Sequence, residues 1–349
     1  MMNSASQLLT TRELAIGYAN GRRSPRVILE QLNLVAHQRE LICVLGENGS
    51  GKTTLLRTLA GMNVPIDGEL HIGGEPLPSL SQLELAKIRA IVLTDRINGA
   101  MLTGLDVVTL GRFPYTDWRG QVKDQDQEIV SQVLQRVGAR EFARELFDQL
   151  SDGQKQKILI ARAMAQEPQL LLLDEPTAFL DLTRRIEIML LLKELTRETG
   201  CTVIMATHDL DSALRVADCF WLIGGDGRVY CDIPEQLVLQ GQLEAAFSDS
   251  GLRFNYHSGS FEKDREFCPP IHVNGRGRVH EWTCRALKRL GYTIADHATQ
   301  PDIPAVDIKR NDGEFQWKWQ HRGNQYEAQE MAELLREITK DYPVAMKPN

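Results

Sequence analysis

The octapeptide "GENGSGKT", Gly46 to Thr53, constrains this chain more than any other stretch. It lies between an apolar run, "LICVL", and an apolar helical pattern, "KTTLLRTLAG". A strand that turns through glycines into a helix fits G-x-x-x-x-G-K-[ST] in the context that gives the pattern meaning. Glycines let the backbone curl until its N–H groups converge on phosphate oxygens, and the helix start adds partial positive charge. Gly46, Glu47, Asn48, Gly49, Ser50 and Gly51 then form the cradle. Lys52 reaches the β- and γ-phosphates, Thr53 supplies a hydroxyl to Mg²⁺, and Thr54 completes the phosphate-binding stretch as the chain enters a helix that stops at Gly61.

A second stretch, "QLLLLDEPTAFLD" from Gln169 to Asp181, drives four leucines into a strand and ends it in Asp174 and Glu175. Such a run reads as a strand buried on both faces. Buried charge is costly without a partner. The phosphate loop resolves the conflict. In a doubly wound sheet, ligands sit beyond the carboxyl ends of the strands, so both acids emerge beside the loop. Asp174 is then the Mg²⁺ carboxylate, and Glu175 orients or deprotonates the attacking water.

The third apolar strand, "CTVIMATHD", and helical patterns such as "TRRIEIMLLLKELTRETG" complete an alternation that implies a mostly parallel sheet. The first 35 residues, with "TRELAIGYAN", read as an antiparallel layer. Residues 95–166 read as a mainly helical insertion, with Val122, Ile129, Val133, Leu134 and Val137 at helical spacing. The chain of 349 residues is long enough for two domains. These are placed at 1–255 and 265–349, the second a small α+β domain. It is expected to run strand (Ile271–Val273), helix (Val279–Leu290), a hairpin turning at residues 311–313 and 322–324, and a helix from Glu327 to Thr339.

Net charge is −7, which argues against broad nucleic-acid binding. No apolar run is long enough for a membrane span, and "MMNSASQLLTTREL" carries no secretory pattern. Six scattered cysteines without C-x-x-C read as reduced thiols, with Cys43 and Cys201 as core filler. Cys268, His272, His280 and Cys284 match no zinc spacing.

"LSDGQKQKILIARA" begins at Leu150, and Ser151 and Gln154 have capping-box spacing. Together with the phosphate loop and the acid-ended leucine strand, this motif resembles the ATPase subunit of ABC transporters over about residues 10–245. The resemblance implies a P-loop ATPase fold of ABC type and two copies facing head to tail. Leu150, Ser151, Asp152, Gly153 and Gln154 of one copy would act in trans on the ATP of the other. Asp152 stands where the family usually has glycine, its carboxylate expected to point toward the helix end. The resemblance further makes His208 the histidine that senses the γ-phosphate, Asp181 part of the loop between the two sites, and Tyr18 the aromatic that stacks on adenine.

Where the family expects a glutamine that couples ATP state to the membrane subunit, "AIVLTDRINGAMLTG" has Thr94. Either Thr94 works through a bridging water, or Asp95 helps, or coupling is altered. "LGRFPY" narrows the resemblance to the ATPases of ferric-siderophore, haem and cobalamin importers, with a ferric chelate the favoured cargo. The implied partners are an integral membrane permease, a second copy of the chain, and indirectly a substrate-binding protein. The implied place is the cytoplasmic side of the cell membrane. Phe113, Tyr115 and Trp118 either line the permease groove or pack the insertion. Trp282, Trp317 and Trp319 are expected as core and hairpin packing in a C-terminal domain that regulates or stabilises the dimer. Export, a soluble non-transport ABC ATPase and a non-catalytic regulatory module are the rival readings.

Overall fold

The computed structural model describes residues 6–18, 25–93, 101–117, 120–247, 252–256, 259–263, 268–295, 303–311 and 314–344. The chain divides into two compact units, Met1–Glu262 and Lys263–Asn349.

The first unit is built on a six-stranded sheet in the order Val229–Asp232, Cys219–Ile223, Leu41–Leu45, Thr202–Ala206, Leu170–Asp174, Arg89–Val92. All neighbours run parallel except Val229–Asp232, which closes the edge as a hairpin. The leucine run explains itself here. Side chains alternate across a strand, so Leu171 and Leu173 enter one core while Leu170 and Leu172 enter the other. A polar residue at any of the four would face apolar packing on its side of the sheet.

The core containing Leu170 and Leu172 is closed by the antiparallel layer, Arg26–Leu32, Gln7–Tyr18, Asp67–Ile72 and Glu75–Pro76, with Val35–His37 also paired to Gln7–Tyr18. The opposite core is closed by helices, including those of the insertion. Within the insertion, helices Gly104–Thr109, Asp124–Arg136 and Asp152–Met164 are joined by 3₁₀ turns. Val122 precedes its helix instead of lying on it, and Val130 takes the buried position beside Val133 and Leu134. Asp126 is buried in the same helix because Arg112 Nε donates to it at 2.8 Å. Arg112 also donates to Ala165 O and Glu167, and its guanidinium lies 4.0 Å from the Tyr115 ring centroid. Tyr115 therefore packs the insertion, whereas Phe113 is 69% exposed. Trp118 lies outside the described residues.

The second unit is a sheet in the order Thr293–Ala295, Pro270–Asn274, Ala305–Asn311, Glu314–His321, Asn324–Ala328. Helices Gly277–Leu290 and Met331–Asp341 pack on it around Ile271, Val306, Trp317, Trp319, Leu287, Leu334 and Ile338. The last helix starts at Met331, not Glu327. Residues 324–328 pair as a strand with 317–321, and Glu327 faces Lys318 across that ladder. Trp317 and Trp319 are buried core as expected, but Trp282 is 55% exposed, on the outer side of its helix. The turn at 312–313 lies outside the described residues.

Candidate nucleotide site

The phosphate loop leaves the buried strand Leu41–Leu45 and enters helix Lys52–Leu59. Gly51 caps that helix at φ 105°, and a Cβ there would lie 2.7 Å from Ile28 Cγ2. A Cβ on Gly46 would lie 2.8 Å from Ser50 Oγ. The glycines are thus required by backbone shape and by space. Lys52, largely buried, donates from Nζ to Gly46 O at 2.8 Å and Glu47 O at 3.0 Å. Burial pushes its pKa below that of an ordinary lysine, while the charges of Glu175 and Asp174 pull it back up.

The sheet order brings the remaining groups to this loop. Strand Thr202–Ala206 lies between the loop strand and the acid strand, with Asp174 level with Ala206. Thr53 Oγ1 donates to Asp174 Oδ1 at 3.1 Å. Glu175 turns at φ 50°, a left-handed conformation for a non-glycine residue, and its N–H donates to Ala206 O at 3.0 Å. Strained backbone of this kind is found where a site holds a side chain in place. Here it sets Glu175 Oε2 2.7 Å from His208 Nδ1. The sequence offered both residues but not their contact, which depends on which strands are neighbours. Tyr18 ends its strand 47% exposed, with its hydroxyl 3.0 Å from Thr54 Oγ1.

The Leu150–Gln154 motif starts helix Asp152–Met164. Ser151 Oγ accepts from Gln154 N–H, and Gln154 Oε1 accepts from Ser151 N–H at 2.9 Å. Leu150 is buried, and Asp152 is exposed as the first helical residue. Asp181 caps the neighbouring helix Leu182–Thr199 by accepting from Arg184 N–H at 2.9 Å. A connection unforeseen from the sequence joins the two starts. Glu187 accepts from Lys157 at 2.5 Å and from Arg184 at 2.7 Å, and the Arg184 side chain lies against Gly153. No hydrogen bond of the described residues joins Leu150–Gln154 to the phosphate loop. Thr94 and Asp95 lie outside the described residues. Among those described, no group of three metal-ligating side chains forms. His272 is instead turned to Ala295 O and Asn274.

The loop, the acids and the histidine share one sheet edge, as an ATP-hydrolysing site needs. Residues 29–178 match the ABC transporter family model, and residues 268–339 match the iron ABC transporter C-terminal domain. An uncharacterised ABC transporter ATP-binding protein of Methanocaldococcus jannaschii is 38% identical over 73% of this chain and 86% of its own. The chain belongs to the ABC transporter ATPases. The iron(3+)-hydroxamate import ATP-binding protein of Bacillus subtilis is 37% identical over 59% of this chain and 75% of its own. The achromobactin transport ATP-binding protein of Dickeya dadantii is 39% identical over 60% and 76%. Among solved structures, a metal-chelate type ABC transporter in an inward-facing conformation has a TM-score of 0.61 at 28% identity, covering 74% of this chain and 96% of that one. A dimeric ATP-binding cassette bound to ADP and Pi has a TM-score of 0.56 at 29% identity, covering 65% and 98%. No helix of the described residues is long and apolar enough to cross a membrane.

Proposed function

We propose that this ABC ATPase energises import of a ferric chelate, working as a homodimer on a membrane permease at the cytoplasmic face of the cell membrane. The match of residues 268–339 to the iron ABC transporter C-terminal domain carries the cargo assignment. The hydroxamate and achromobactin relatives point to the same chemistry. A binding protein would deliver the chelate to the permease.

The cradle Gly46–Thr54 holds the ATP phosphates. Ser50 Oγ is buried with no hydrogen-bond partner, an orphan that a phosphate oxygen would satisfy. The Thr53–Asp174 pair offers a hydroxyl and a carboxylate to one point, which suits Mg²⁺, a cation that takes oxygen ligands. When bound, the ion neutralises phosphate charge. Glu175, steadied by His208, orients the attacking water or accepts its proton. Tyr18 offers its ring to adenine. Ser151 and the Gly153 N–H, at a helix start with unpaired donors, complete the site of the second copy, and Asp181 relays between the two sites. Thr94 and Asp95 belong to the loop that reports ATP state to the permease.

The test is Glu175→Gln in the intact transporter. The expected variant binds ATP, loses steady-state hydrolysis by at least about a hundredfold, and fails to restore uptake of a ferric hydroxamate in cells lacking the wild-type chain. Normal hydrolysis would remove the role given to Glu175. Restoration by the wild-type chain of haem or cobalamin uptake, but not of ferric-chelate uptake, would remove the cargo.

A further inference from the structure

Helix Gly277–Leu290 buries Thr283 and Leu287 in the second unit and leaves its opposite side to solvent. Arg278, Trp282, Arg285 and Arg289 are all exposed on that side. They follow the spacing i, i+4, i+7, i+11, which at the pitch of a helix is one row along it. Arg276 stands exposed at the helix start, and Lys288 lies on the flank of the row with Glu281. Five cations against one acid are therefore concentrated here, in a chain whose net charge is −7. The cations are not neutralised within the protein. Among the described residues, no carboxylate pairs with any of the five, whereas Asp341 pairs with His321 and Glu337 with Lys340. Trp282 is 55% exposed, with the Arg285 guanidinium 5.1 Å from its ring centroid.

We propose that this face docks on the anionic phospholipid surface of the cytoplasmic leaflet, a contact made by the C-terminal unit itself and not through the permease. The proposal rests on the reading that the chain works at the cell membrane. Charge complementarity selects the partner, because a negatively charged leaflet attracts clustered Lys and Arg. Arginine suits a phosphodiester headgroup, since its planar fork gives two parallel hydrogen bonds to one phosphate. Tryptophan suits the same depth, since an apolar ring with a polar N–H settles at the boundary between lipid and water. A row that sets Trp282 among three arginines matches a headgroup layer on both counts. The inner side of the helix is already used by its own sheet, so the contact is peripheral and not an inserted helix. A nucleic acid approaching from solution meets the field of a whole acidic chain. For a leaflet beside which the chain already works, only charge within a Debye length counts.

The test is flotation of the purified full-length protein, free of permease, with vesicles of phosphatidylcholine alone and of phosphatidylcholine mixed with phosphatidylglycerol. The wild type is expected on the anionic vesicles only, and is expected to leave them as salt is raised. The triple variant Arg278→Gln/Arg285→Gln/Arg289→Gln keeps helix propensity. It is expected to bind anionic vesicles about a hundredfold more weakly, at about fivefold per lost charge. Trp282→Phe serves should the triple variant fold poorly. Anionic vesicles are expected to move wild-type tryptophan emission to shorter wavelength, and Trp282→Phe to lose that shift, because Trp221, Trp317 and Trp319 are buried. No binding to anionic vesicles, equal binding to neutral ones, or unchanged binding by the triple variant overturns the proposal. So does tighter binding of a random-sequence oligonucleotide that the triple variant loses, because the face would then belong to nucleic acid. Uptake of a ferric hydroxamate is the separate arm. Failed flotation with intact uptake removes this proposal alone, whereas failed uptake with intact flotation removes the import reading.

Discussion

Gly51 has almost no latitude. Its φ of 105° is uncomfortable for any L side chain, and a methyl group would meet Ile28 at 2.7 Å. Left-handed backbone costs a non-glycine residue about 1–2 kcal/mol. Gly51→Ala should therefore weaken ATP binding about tenfold or more, measured by calorimetry, as the loop relaxes away from the phosphates. Glu175 shows the converse. It pays the same backbone penalty at φ 50° and remains there because its N–H and carboxylate are both engaged, by Ala206 and His208. The eight-residue loop was legible because its chemistry is local. The Glu175–His208 contact was not, because the two residues are separated by a helix and a strand that the sequence does not align.

Among the elements, the insertion depends on one buried cation. Arg112 joins the Leu110–Tyr115 turn to Asp126 and to the end of the Asp152–Met164 helix. Removing one partner of a buried pair strands the other charge, at about 3–5 kcal/mol. Arg112→Met should cost about that much in urea unfolding, and the double variant Arg112→Met/Asp126→Leu should recover a large part of it. In the C-terminal unit, Asp341 accepts from Trp319 Nε1 at 2.9 Å and His321 Nδ1 at 2.8 Å. These bonds hold its carboxyl below the usual aspartate range. The stabilisation is complete above the ordinary carboxylate value and is lost as pH falls through the lower folded one. Asp341→Asn should lower the melting temperature of this unit at pH 7 and flatten its loss as the pH falls below the ordinary aspartate range, followed by near-ultraviolet circular dichroism. The sequence suggested this unit's layout from its turns and periodicities. It placed the last helix too early, because strand pairing outweighed the helical pattern at 327–330.

For the whole molecule, the division of labour between copies is testable directly. Lys52→Ala removes the phosphate-loop lysine and Gly153→Asp places a carboxylate where phosphate should be met. Each variant alone should lack ATPase activity. An equal mixture should regain up to about a quarter of wild-type activity, since half the dimers are mixed and each carries one intact site. A mixture as inactive as its components would remove the trans role of Ser151 and Gly153.

The sequence by itself determined three strands of the main sheet, the phosphate loop after the first of them, the two acids that end the second, and the capped Ser151 turn. Each depends on spacing within a few residues, where side-chain alternation, glycine backbone freedom and capping act. Tertiary structure alone decided which strands are neighbours, and hence that Glu175 meets His208. It also decided that Arg112 is engaged inside the insertion and that Trp282 faces outward. These outcomes depend on contacts between residues far apart in the chain, and such contacts follow from how the layers close over one another rather than from local pattern.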